Sequence, residues 1–271
     1  MGWIQDINKM PQVVKEGMYR ILIPPTVFSR FEINPLNFCN AEGERLARFY
    51  CPPGDRTTLI EVKLSPEDKD CIFSYQIADT VDRIKINWDF IIVTDPFADR
   101  FETDSDDQGR DTLFGTAERN LAEEIRAMDA GMWPGQTKKG LSIMTEFVGC
   151  LRHFCKMMAI KSVGLEALFY HNAIMYEHYG FTYLDGFKRM RRINELFSPG
   201  GRLRELMNGS TPFRKPEMAD TVFGRSWAIH DRIIDEIPED DLLEGEWMSP
   251  EMYIMLEKPR ASVTFPDPKI R

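Results

Sequence analysis

The sequence predicts an α/β (α+β) protein built on a mixed, mostly antiparallel twisted sheet with helices on both faces. Three observations predict it. Alternating apolar and polar runs joined by short polar links occupy the first third of the chain. A run from Lys139 to about Ala159 repeats Met144, Phe147, Val148, Leu151, Phe154, Cys155 and Met158 at spacings of three and four, which is one buried helix face. Beyond it, strand-like and helix-like runs alternate as far as Leu184.

The elements follow in order. Tyr19-Arg20-Ile21-Leu22-Ile23 reads as a short strand stopped by Pro24-Pro25. Thr57–Leu64, Cys71–Ala78 and Ile84–Thr94 read as an antiparallel meander, and the unbroken Phe90-Ile91-Ile92-Val93 predicts a strand covered on both faces. Asp95 to Asp111 is an acidic loop. Ala117–Ala130 reads as a helix closed by Gly131. After the long helix come a strand at Ser162–Tyr170, a helix at Asn172–Tyr179 stopped by Gly180, and a strand at Phe181–Leu184. Helical pieces at Lys188–Phe197, Arg202–Met207 and Arg225–Ile234 precede a last strand at Met252–Glu257.

Composition narrows the function. The chain has 271 residues, 43% hydrophobic and 28% charged, enough to bury a full core. Its 43 acidic and 34 basic residues leave a net charge of −9, whose field repels nucleic acid and anionic membranes, so nucleic acid is not an expected partner. No apolar run approaches the roughly 20 residues of a membrane span, so none is expected. The five cysteines are an odd count without a Cys-x-x-Cys pair, which predicts reduced thiols and no structural zinc. The first residues lack the layout of a signal peptide, and a cytoplasmic location is expected. No repeat of 20–50 residues is visible.

Chemistry concentrates in residues 135–184. Gly135-Gln136-Thr137-Lys138-Lys139-Gly140-Leu141-Ser142 is a cationic, glycine-containing loop feeding a helix start. Backbone N–H groups and the helix dipole favour an anion there, and Lys138 and Lys139 add charge. It is neither a P-loop nor a dinucleotide fingerprint. The alternative is a solvated helix start with two surface lysines. At the other end stands His171-Asn172-Ala173-Ile174-Met175-Tyr176-Glu177-His178-Tyr179-Gly180-Phe181.

Asn172, Met175-Tyr176 and Gly180-Phe181 at the end of a strand–helix pair resemble the acyl-CoA-binding segment of the GNAT acyltransferase superfamily. The resemblance covers roughly residues 57–184 and is strongest over 135–184. Aligned on Gly140, Thr137 stands where the family carries Gln or Arg, and Ser142 where it carries Gly or Ala. The resemblance implies a GNAT-like sheet that opens where strand 162–170 diverges from strand 84–94, with a thioester donor entering there. It implies acetyl-CoA or another acyl-CoA as donor, a small-molecule amine as acceptor, and residues 135–142 with Asn172 as the cofactor-binding set. It also implies a core over 1–184, with an N-terminal lead-in and an acidic insertion at 95–134. Residues 185–271 are then a C-terminal extension packed on that core. The insertion further resembles the branch of long-chain N-acyl amino acid synthases and acyl-homoserine-lactone synthases, which implies acyl carrier protein as an alternative donor. A non-catalytic acyl-CoA-binding regulatory module is the third reading.

The residues suit amide-forming transfer. An alkyl amine is mostly protonated at neutral pH, so an acceptor for its proton is needed, and the departing thiolate needs a donor. The resemblance makes Tyr176 the general acid, and the alternative is a tyrosine packed in the core. For the base, Asp95 and Glu102 are candidates, with Asp89 on the central strand and Asp104–Asp107 nearby; the alternative is a solvated acidic loop. This loop lacks the spacing of a calcium site, and no metal is expected. His153, His171, His178 and His230 read as structural or surface residues. His230 and Asp231 are adjacent, so on a helix their side chains point apart and no triad forms. Lys188-Arg189-Met190-Arg191-Arg192 reads first as a solvated helix face and otherwise as a contact for an acidic carrier protein or an adenosine phosphate. The 15 methionines read first as core filler.

Overall fold

The computed structural model describes residues 2–106, 108–112, 118–257, 262–266 and 269–270. Asp107 of the acidic cluster and Ala117 of the expected helix fall outside them. In chain order the elements are α1 (Ile4–Ile7), α2 (Gln12–Tyr19), α3 (Pro25–Arg30), β1 (Ala47–Tyr50), β2 (Thr57–Val62), β3 (Phe73–Asp79) and β4 (Ile86–Val93). There follow α4 (Leu121–Asp129), α5 (Met144–Met157), β5 (Ser162–Glu166), α6 (Tyr170–His178) and β6 (Thr182–Tyr183). The last are α7 (Phe187–Phe197), α8 (Arg202–Leu206), α9 (Val222–His230) and β7 (Glu251–Met255). The fold is α+β, with a mostly antiparallel open sheet of seven strands in the order β1-β2-β3-β4-β5-β7-β6. Among the described residues no helix is long and apolar enough to cross a membrane.

The chain gathers into two compact units: residues 1–98, 139–165 and 253–259, and residues 99–138, 166–252 and 260–271. In the first, β2 to β4 form the expected antiparallel meander, β1 adds an antiparallel edge strand beside β2, and β5 joins β4 in parallel. β2 alternates half-buried and buried residues, as its sequence does. The core packs α5 on the sheet through Phe147, whose ring centroid lies 4.7 Å from Tyr75 and 5.0 Å from Trp88, edge-on to both. The second unit gathers α4, α6, α7, α8 and α9 around the buried Trp227, whose Nε1 donates to the Met132 carbonyl at 3.0 Å.

Several expectations are corrected. Tyr19–Ile23 is not a strand. Tyr19 ends α2 and Arg20–Leu22 is a 3-10 turn. Pro11 starts that helix, which buries Lys15 and Tyr19 one turn apart, and the Tyr19 hydroxyl donates to Asn8 Oδ1 at 2.6 Å. Tertiary burial overrides the local apolar run. The long helix begins at Met144, not Lys139. Ser142 sits at φ +60°, which no helix contains, and Gly140 lies so close to β4 that a Cβ there would stand 3.2 Å from the Val93 carbonyl. The strand at 162–170 stops at Glu166, because Tyr170 already belongs to α6. Phe90–Val93 is half-buried rather than covered on both faces. Arg225–Ile234 is divided: α9 ends at His230 and a 3-10 turn follows at Ile233–Glu236, with Arg232 left-handed between them. α1, α3 and β1 were not anticipated.

Gly149 is an interior residue of α5, and an added Cβ would meet nothing within 4 Å. Glycine at such a place costs roughly 0.5–1 kcal/mol relative to alanine. Gly149→Ala is therefore expected to stabilise the protein by about that amount, read as a higher urea midpoint at unchanged m-value.

Candidate functional site

In the first unit, β4 carries the irregularity that matters. Its pairing with β3 shifts between Gln76 and Ile77: Gln76 faces Phe90 and Ile77 faces Trp88, so Asp89 is an extra, bulged residue. Its parallel pairing with β5 covers only Ile86↔Val163, Asn87↔Gly164 and Trp88↔Leu165. From the bulge onward, β4 continues to Val93 without β5 beside it.

The loop after β4 doubles back to the same strand. The Asp95 amide donates to the Lys139 carbonyl at 2.7 Å, and Gly140 rests against Val93. From Lys139 to Met144 no backbone N–H finds a partner among the described residues, and no side chain caps α5. Six amides and a helix N-terminus of 14 residues thus present uncompensated donors. Lys139 and Ser142 are exposed, while Leu141 is buried and anchors the stretch.

The candidate bases differ in how they are held. Asp95 Oδ2 accepts from Arg30 at 2.7 Å, and its Oδ1 accepts from the Phe97 amide at 3.1 Å. Asp89 is exposed, with one long contact, 3.4 Å from Gln76 Nε2, and the partial desolvation of its place on the strand raises its pKa above the ordinary carboxylate value.

The second unit holds the remaining predicted residues. Gly135 is left-handed at φ +78°, and a Cβ there would run into the Phe169 ring at 2.5 Å, so the loop and the residue that opens α6 are in close contact. Gln136 turns inward: its Oε1 accepts from the Trp133 amide at 3.1 Å, and its carbonyl accepts from Thr103 Oγ1 at 3.0 Å. The Thr137 carbonyl accepts from the Phe101 amide at 2.8 Å. Lys138 is half-buried. Asn172 lies in the first turn of α6, and its side-chain amide makes no hydrogen bond among the described residues. Tyr176 is partly buried, its ring 5.7 Å from that of Phe181, and burial with neighbouring Tyr179 pushes its phenol pKa well up. Glu102 pairs with Arg100 and accepts from Ser105 Oγ at 3.2 Å. Asp104 pairs with Arg100 at 2.6 Å, and the Arg110 amide and side chain with the Gln108 amide hold Asp106 down at about 2. In the basic stretch, Arg192 pairs with Asp240 at 2.8 Å.

A buried polar network escaped the sequence reading. His230 Nε2 lies 3.1 Å from Glu124 Oε1; Arg119 pairs with the other oxygen of Glu124 and, at 3.0 Å, with Asp231. Asp231 also accepts from Arg214 at 3.0 Å and from Thr211 at 2.8 Å. The adjacent His230 and Asp231 do point apart, and Arg119 closes the circuit between them. Next to it, His171 Nδ1 lies 2.8 Å from Ser226 Oγ, its ring stacked between Trp133 and Phe169. Desolvation, with a contribution from His230, pulls the His171 pKa down to about 3 and keeps it neutral. His171 and Ser226 are both buried, so this is a structural pair. The partners lie 106 residues apart in the case of Glu124 and His230, and no local spacing reveals them.

Comparisons with protein-family models, with curated proteins and with solved structures returned no match.

Burial opposes the Glu124 charge, but the His230 and Arg119 bonds outweigh it and hold its pKa below the ordinary value. Its contribution is therefore present above the unfolded carboxylate pKa of about 4.3 and is lost as pH falls through the folded value. Glu124→Gln is expected to destabilise by about 3 kcal/mol at pH 7, because it leaves Arg119 buried with half its partners. The gap from wild type narrows below about pH 4, measured by urea unfolding across pH.

Proposed function

We propose that this chain is an N-acyltransferase that moves an acyl group from an acyl-CoA to a small-molecule amine. One observation carries the reading: along β4 the bulge at Asp89, the end of β5 pairing and the unpaired amides of Lys139–Met144 occur together. A strand edge released from its neighbour offers ladder groups to the amides of a pantetheine arm. The uncapped start of α5 with its preceding amides suits the pyrophosphate. A bulge re-aims the backbone and leaves one residue outside the ladder, beside the reacting thioester in this reading.

In the transfer, the neutral amine nitrogen attacks the thioester carbonyl carbon. The C–N bond forms, the C–S bond breaks, and the amide product and the thiol leave. Asp89, with a raised pKa and a single weak contact, takes the ammonium proton directly or through water. Asp95 and Glu102 are less suited, since ion pairs with Arg30 and Arg100 hold them. The resemblance assigns the acid to Tyr176, whose phenol is pushed well up by burial.

The test is release of free thiol from acetyl-CoA and longer acyl-CoAs with a panel of amines. Amine-dependent release is expected. Tyr176→Phe and Asp89→Asn should each lower kcat by about 100-fold or more with donor KM nearly unchanged. Thiol release no greater than the amine-free blank for every pair would overturn the acyltransferase reading.

A further inference from the structure

The first unit contains a cleft of about 810 Å³ between the N-terminal segment and α5, and none of its lining residues belongs to the predicted transfer site. Its size falls within the range of roughly 300–1,000 Å³ that holds small organic ligands. Its walls are Ile21, Ile23, Phe28 and Ile33, and Gly149 on α5 forms part of its floor. Nothing packs against Gly149, so the helix carries an interior glycine without a neighbour that needs the space. Any side chain there would enter the cleft.

Polar groups at the cleft divide by whether they are already used. Glu146 caps α3: its Oε1 accepts from the Thr26 amide at 3.0 Å. Arg20 spends one donor on the Pro35 carbonyl at 3.2 Å, and its remaining N–H groups have no partner among the described residues. His153, exposed on the same face of α5, has no side-chain partner either. The unspent groups are the Arg20 guanidinium, the His153 imidazole and the second carboxylate oxygen of Glu146; the first two recognise an anion, above walls that recognise hydrocarbon.

We propose that this cleft is a binding site for a monocarboxylate with a hydrocarbon tail, the tail along Ile21, Ile23, Phe28 and Ile33 over Gly149 and the carboxylate at Arg20. The site stands apart from the acyl-transfer reading and survives its failure, because its readout is binding.

The experiment is calorimetric titration of the full chain with sodium hexanoate, octanoate and decanoate, and with 1-decanol. Affinity is expected to rise by roughly fourfold per added methylene as the tail is buried. Decanoate should bind about tenfold more tightly than decanol, and Arg20→Gln should remove that preference. Gly149→Phe should abolish decanoate binding. A measurement on the wild type guards against a misfolded variant: decanoate should slow maleimide alkylation of Cys150, which lines the cleft, and leave Cys39, which does not, unchanged. Absence of decanoate binding, equal affinity for decanol, or Cys150 labelling unaffected at saturating decanoate would each overturn the proposal.

Discussion

The edge-on contacts of Phe147 with Tyr75 and Trp88 set where α5 lies on the sheet, and much of the first unit's chemistry follows from that placement. Phe73 closes the cluster at 5.9 Å from Phe147. Such pairs contribute about 0.5–1.5 kcal/mol each beyond their buried area. With Phe147, Leu151 and Phe154 turned inward, residues three and four apart on the other side, Glu146, Gly149, Cys150 and His153, turn toward the cleft. The same placement leaves the start of α5 beside the end of β4, where Gly140 meets Val93 and the amides before the helix have no partner. One packing decision therefore shapes two surfaces with different chemistry.

The second unit is organised differently. Its interior includes Arg119, Glu124, His230 and Asp231, all with little exposure, and Arg119 binds both carboxylates. Paired buried charges repay only part of their desolvation, so they are weak sources of stability and strong constraints on geometry. The network joins α4 to the end of α9, while Trp227 holds the chain just after α4 through the Met132 carbonyl.

What could be read from the sequence depended on the range of the interactions involved. β2 was legible because one covered face imposes alternation on successive residues, β3 and β4 because short polar links bound their apolar runs, and α6 and α7 because their stop signals, Gly180 and Ser198-Pro199-Gly200, are local. The start of α5 was not legible, because the left-handed Ser142 and the approach of Gly140 to Val93 are products of the fold. Tyr19 looked like strand because its partner, Asn8, caps a buried hydroxyl that no periodicity reports. Of the candidate site, the glycine loop, Asn172 and Tyr176 stood out as motif residues. The Glu124–His230 pair had no local signature. The bulge did leave one trace: the alternation Ile86-Asn87-Trp88-Asp89 breaks at the continuous Phe90-Ile91-Ile92-Val93.

That trace bears on which carboxylate can accept a proton in the proposed transfer. Asp95 has a donor on each oxygen, one of them a guanidinium, so receiving a proton there breaks a charge-assisted hydrogen bond. Glu102 faces the same cost against Arg100. Asp89 has only the 3.4 Å contact with Gln76, and desolvation already favours its neutral form. Burial alternates from Ile86 to Asp89, with Ile86 and Trp88 inside and Asp89 exposed, so the carboxylate stands on a strand between Trp88 and Phe90 without displacing an apolar side chain from the core.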